Sequence, residues 1–230
     1  MSPVSDNQWL GLHNNYLVDV GTNHRLHRDV VDDFTAMQQA AAQDGLDLQL
    51  VSSYRDFARQ TAIFNRKWRG ETAILDKNSQ PLRPETLNDE EKLHAILMWS
   101  ALPGGSRHHW GTDFDVYDKT SVEKLNGRFD LVESEYERGG PCYLLACWLE
   151  QHMARFGFFR PFSESTGGVA REPWHLSHSA VSKRFEKARN IQALENALSE
   201  SEIEGKATIL AMLPSLYNRY VLNKGNRSAV

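Results

Sequence analysis

His108 and Asp115 stand seven positions apart in the segment Ser106-Arg-His-His-Trp-Gly-Thr-Asp-Phe-Asp115, and this interval restricts the fold more than any other feature of the chain. Side chains of a strand alternate between its faces, so an odd interval sends the two residues to opposite sides of a regular strand. They converge only if the chain bends between them. Gly111 is the residue free to make that bend, and a Gly-Gly turn at Gly104 and Gly105 leads into the segment.

Convergence matters because of the chemistry packed here. Two histidines and two aspartates lie within ten positions, and imidazole with carboxylate suits zinc, which in catalytic sites takes three protein ligands and keeps one position open. The segment Glu172-Pro-Trp-His175 offers a third ligand far away in sequence. It also offers a carboxylate three residues before that ligand. Zinc lowers the pKa of bound water toward ~7, and a neighbouring Glu then only has to accept and relay the proton. No HExxH motif occurs, so the site is not borne on a single helix. His109 and His178 are expected to face solvent or to hydrogen-bond near the ligands without binding metal. If Asp113 lies on a strand, it points the same way as Asp115. It then competes as a ligand or repels its neighbour, or it orients a ligand histidine from behind.

The rest of the chain reads as short strands mixed with helices, an α+β pattern. Val30, Val31, Phe34, Met37 and Ala41 recur at helical spacing over residues 28–44, with Gly45 as the stop. Leu46, Leu48 and Leu50 alternate as in a half-buried strand. Helices are predicted over 56–69, over 89–101, and from Pro141 to Gly157, and strands at FDVYD and FFRPF. The first thirty residues, the loop at 70–88 and the stretch 119–140 read as irregular. Beyond Ser182 the composition turns helical without obvious chemistry. This predicts a main domain over 1–182 and a carboxy-terminal helical extension over 183–230. Cys142 and Cys147 read as buried small apolar side chains, with no disulfide framework and no Cys–zinc spacing.

The pattern Ser106-x-His108-x-x-Gly111-x-x-x-Asp115, followed by Glu172-x-x-His175, resembles the LAS metallopeptidases and, more narrowly, the VanY-type D-alanyl-D-alanine carboxypeptidases. Their pattern is SxHxxGxAxD and then ExxH. Upstream, Ser53-Tyr54-Arg55 followed by Gln60 is similar to the family's SxYR…Q stretch, and the resemblance spans about Val51 to His178. It implies a small antiparallel sheet carrying the zinc site, flanked by helices. It implies one zinc ion per chain on His108, Asp115 and His175, with Glu172 as general base and then acid. It further implies that Arg55 stabilises the oxyanion or holds substrate near it, that Gln60 and Ser106 hydrogen-bond the substrate's peptide or terminal carboxylate, and that Trp174 forms a pocket wall. The chain departs from the pattern at Asp113, where the family usually has Ala; Asp115 keeps the ligand position.

The implied substrate is a peptidoglycan peptide ending in D-Ala-D-Ala. An L,D-carboxypeptidase, a D,D-dipeptidase and an L-alanyl-D-glutamate endopeptidase are rivals on the same fold, and a non-catalytic zinc module is a rival of another class. Glu172 argues against the last, since a structural site needs no base. A net charge of −4 in 230 residues argues against a phosphate-binding face and so against nucleic acid. No segment reaches the roughly 18 apolar residues of a membrane span. The amino terminus lacks the basic start and apolar core of a secretory signal, which predicts a cytoplasmic location.

Overall fold

The computed structural model describes residues 3–225. After a short helix α1 (Asp6–Trp9), a hairpin forms from β1 (Leu17–Val20) and β2 (His24–His27). A 3-10 turn at Arg28–Val30 leads into α2 (Val31–Gln43), then β3 (Leu48–Ser52) and α3 (Phe57–Trp68). Asp56 caps α3 by accepting from the Arg59 amide at 2.7 Å. A small hairpin, β4 (Ile74–Leu75) with β5 (Pro81–Leu82), occupies the stretch expected to be loop. Then come α4 (Asp89–Trp99), capped at Asn88, β6 (Asp113–Asp118), the single turn α5 (Lys119–Val122), α6 (Tyr143–His152), β7 (Phe158–Phe159) and β8 (His175–His178). Three α-helices, α7 (Ser179–Ala188), α8 (Ile191–Glu200) and α9 (Lys206–Leu216), and a π-helical turn at Tyr217–Val221 follow.

The central sheet is antiparallel, in the order β3-β6-β8-β7. The architecture is thus α+β with a small antiparallel sheet among helices. Two strands were not predicted in the amino-terminal thirty residues, and β8 was not predicted at all. Sheet alternation separates two environments. Phe114 stands between Phe34 of α2 and Phe158 of β7, at ring distances of 4.9 and 5.4 Å. Asp113 and Asp115 point to the other face, where Asp115 pairs in register with His175. One face of β6 is therefore anchored in apolar core and the other holds the charged site. Helices beyond Ser182 join the same core: Phe185, Leu194, Leu198, Ile209 and Leu213 belong to the buried cluster that includes Phe114 and Leu176. No helix among the described residues is long and apolar enough to cross a membrane.

The bend demanded by the His108–Asp115 interval lies at Gly111. A 3-10 turn at Arg107–Trp110 ends there in the left-handed conformation, φ +65°. The Gly111 carbonyl accepts from the His27 amide at 2.8 Å, so the amino-terminal hairpin braces the bend. A Cβ on Gly111 would lie 2.4 Å from Leu17 Cδ2 and 2.8 Å from the His27 nitrogen. Gly111→Ala is expected to cost roughly 1–3 kcal/mol from backbone strain alone, with the clash added. An unchanged urea midpoint in that variant would show that the bend tolerates a side chain.

Candidate active site

Each of the three proposed ligands comes from a different local structure. His108 sits in the 3-10 turn before Gly111, Asp115 in mid-β6, and His175 at the start of β8. Their donor atoms all lie within 4.8 Å of one another, and all three residues are buried. His108 Nε2 is 3.5 Å from Asp115 Oδ2. His175 Nδ1 is 3.2 Å from Asp115 Oδ1 and 3.3 Å from Glu172 Oε2. The rings of His108 and His175 meet edge to face at 4.8 Å.

The outer hydrogen bonds of the two imidazoles fix which nitrogens face inward. His108 Nδ1 donates to the Ser53 carbonyl at 2.9 Å, leaving the Nε2 lone pair toward Asp115. His175 Nε2 donates to Asp113 Oδ1 at 3.2 Å, leaving the Nδ1 lone pair inward. His175 Nδ1 has no hydrogen bond of good geometry to either nearby carboxylate, and Asp115 Oδ1 is buried without a donor. Four electron-pair donors (His108 Nε2, Asp115, His175 Nδ1 and Glu172) therefore converge on one point. The arrangement calls for positive charge, which a metal ion or, without one, the proton held by the raised His175 imidazole supplies, and two imidazoles with a carboxylate are a donor set that suits zinc. The residues fit the metal.

Protonation follows burial and charge. Burial first, then the Arg55 charge, pushes the His108 imidazole down to about 3, so it is neutral and able to ligate. Burial would raise the Asp115 carboxyl, but His108 and His175 outweigh it and hold it at about 2. Burial raises Glu172 above the ordinary glutamate range, Asp115 adds to the rise, and His175 and Arg55 oppose it. A raised carboxyl is what a proton relay near neutral pH needs.

One cavity of about 570 Å³ is lined by all eight residues that the sequence singled out: Arg55, Gln60, Ser106, His108, Asp115, Glu172, Trp174 and His175. Arg55 does not pair with Asp56, which caps α3; it donates from Nη1 to Ser52 Oγ at 3.0 Å, and its Nε has no partner. Gln60 donates to the Ala101 carbonyl at 2.8 Å and leaves Oε1 unpaired, and Ser106 Oγ is buried and unpaired. These are free donors and acceptors on the wall of a cleft. Trp174 packs on Tyr136 at 5.6 Å.

His109 and His178 are not solvent-facing. His109 donates to the Arg55 carbonyl at 2.6 Å and accepts from the Gly104 amide at 2.9 Å. His178 pairs with Asp33 at 2.9 Å and caps α7. Cys142 is buried and Cys147 half-buried, and both are free. Sequence reasoning missed Phe162, whose ring stands 5.0 Å from His175, and Arg107, which binds Asp113 at 2.6 Å. Arg107 could have been noticed as a charge inside the histidine motif. Phe162 carried no signal.

A buried two-histidine, one-carboxylate centre with an adjoining glutamate, set on a small antiparallel sheet at the floor of a cleft, is the construction of a zinc peptidase. The family described as VanY, D-alanyl-D-alanine carboxypeptidase, matches residues 23–181, more than half of the chain. The chain belongs to this family, whose members are zinc peptidases acting on peptidoglycan peptides.

Among curated proteins, it is 43% identical over 96 residues to an uncharacterised protein of Haemophilus influenzae, covering 40% of this chain and 66% of that one. It is 22% identical over 156 residues to the putative carboxypeptidase YodJ of Bacillus subtilis, covering 66% of this chain and 46% of that one. The chain thus spans less than two thirds of either relative. Among solved structures, a Glu-to-Ala variant of the vancomycin-resistance D,D-pentapeptidase VanY with Zn(II) aligns at TM-score 0.54 and 19% identity, over 82% of this chain and 89% of that one. The LD-carboxypeptidase LdcB aligns at TM-score 0.52 and 20% identity, over 77% and 80%. Both share the fold.

Proposed function

We propose that this chain is a zinc-dependent D,D-carboxypeptidase that releases the terminal D-Ala from peptidoglycan-type peptides, with one zinc ion per chain held by His108, Asp115 and His175. The observation that carries the reading is the convergence of these three donors with Glu172 at the floor of the cleft. A metal held there would acidify water and polarise the scissile carbonyl.

The chain's own residues supply the rest. Glu172 takes the proton from the attacking water at its carboxylate and delivers it to the departing D-Ala nitrogen. Arg55, buried in the cavity wall within charge range of Asp115 and Glu172, offsets negative charge growing on the carbonyl oxygen. Gln60 Oε1 accepts from a substrate N–H, and Ser106 Oγ binds the peptide or its terminal carboxylate. Trp174 limits the width of the cleft.

Zinc content by elemental analysis, with D-Ala release from a pentapeptide ending in D-Ala-D-Ala, tests this directly. About one zinc per chain and chelator-sensitive release are expected. Zinc without release, followed by cleavage of a tetrapeptide, of free D-Ala-D-Ala or of the L-Ala-D-Glu bond, would move the substrate to one of the sister activities. No zinc uptake would sink the reading.

A further inference from the structure

Asp113 lies two residues before Asp115 on the same face of β6, yet it is not placed as a ligand. Its side chain is fully buried, and both oxygens are engaged. Oδ1 accepts from Arg107 Nε at 2.6 Å and from His175 Nε2 at 3.2 Å, and Oδ2 accepts from Thr112 Oγ1 at 2.6 Å. It therefore meets His175 on the nitrogen opposite the one facing Asp115. Arg107 is held in turn: Nη1 donates to Glu186 at 2.7 Å, Nη2 to Ser177 Oγ at 2.7 Å, and the guanidinium lies 4.8 Å over the Trp110 ring. Glu186 belongs to α7 and falls beyond residue 181, where the family match ends.

We propose that Asp113 is a positioning residue for His175, clamped by Arg107 and by Glu186 of α7, and that this clamp tightens zinc binding. The inference rests on the metal reading above. An imidazole that can donate either nitrogen must be fixed in one tautomer before it ligates well, and a carboxylate behind it does this while raising its basicity. A carboxylate so close to the ligands would compete for metal if its oxygens were free, and Arg107 and Thr112 occupy them. Helix α7 thereby supports the metal centre through one charged side chain.

The test is zinc affinity, measured by competition with a chromogenic chelator, together with the visible spectrum of the cobalt-substituted protein. Asp113→Ala alone would strand Arg107 in the interior, so the variants are the isosteric Asp113→Asn and the double Arg107→Met with Asp113→Ala, which removes both charges. Zinc binding is expected to weaken by roughly 10- to 100-fold in the double variant and by less in Asp113→Asn, with the cobalt bands shifted and apoprotein melting held close to wild type. Glu186→Gln is expected to weaken zinc by a smaller factor, and unchanged affinity there overturns the part assigned to α7. Affinity within twofold of wild type in both Asp113 variants overturns the proposal while leaving the metal reading intact. A wild type that takes up no zinc overturns both.

Discussion

Glu172→Gln is expected to keep its zinc and lose roughly 10³-fold in kcat. The glutamate sits at the edge of the donor cluster, its Oε2 3.3 Å from His175 Nδ1. Its backbone amide is tied to the Phe162 carbonyl at 2.9 Å, a bond the substitution leaves alone. Glutamine matches the shape but neither accepts nor delivers a proton at neutral pH. The loss should fall on kcat with little change in KM, since the interaction removed belongs to the transition state. Activity within tenfold of wild type would assign the base elsewhere. Zinc lost together with activity would make Glu172 a ligand.

The residues that converge in the donor cluster were legible because chemistry restricts their types and a bend at Gly111 reconciles their spacing. The helices α2, α3 and α4 were legible for an ordinary reason: a surface helix buries one stripe, and a stripe repeats. Strand β8 left no such trace. All four of its residues are buried, and His175, Ser177 and His178 are polar, so neither alternation nor an apolar run marks it. The hairpin of β1 and β2 was hidden for a related reason: HRLH carries polar groups on both faces, and in LVDV Asp19 shares a face with the buried Leu17 while Val18 is exposed. The pairing of Arg107 with Glu186 spans 79 positions and depends on where α7 docks, which no local pattern encodes. Asp113 was visible as a departure, and its function was not, because that depends on which nitrogen of His175 it meets.

Acid is expected to destabilise this protein between about pH 6.5 and pH 4, before most of its carboxylates titrate. His27 and His109 are buried in neutral form, burial pushing each imidazole down to about 4, and in the metal-free protein His108, pushed to about 3, joins them. His27 packs beside Tyr16 and edge-on to Phe185 and accepts from the Asp29 amide. His109 is wedged between the Arg55 carbonyl and the Gly104 amide. Above pH 6.5 these rings are neutral in the folded and unfolded chains, and their contribution is fully present. As the pH falls, the unfolded chain takes up protons that the folded chain refuses, and stability declines until the folded rings titrate near 4 or, for His108, near 3. Each group accounts for about 3 kcal/mol across that window. Their sum is comparable to the whole stability of many domains. Asp115, held at about 2, adds its own loss only at lower pH. His175 is raised, so its contribution is already complete below 6.5, while Glu172, a raised carboxyl that the folded chain protonates first, offsets part of the decline above the ordinary glutamate range. Urea unfolding of metal-free protein at half-unit steps from pH 7 to pH 4 measures the slope. His27→Asn keeps an acceptor for the Asp29 amide and removes one titrating ring, and since His108 titrates alongside His109 in the metal-free protein, the slope should fall by about a third. A flat stability profile over the window would mean that these rings take up protons in the folded protein as readily as in the unfolded chain.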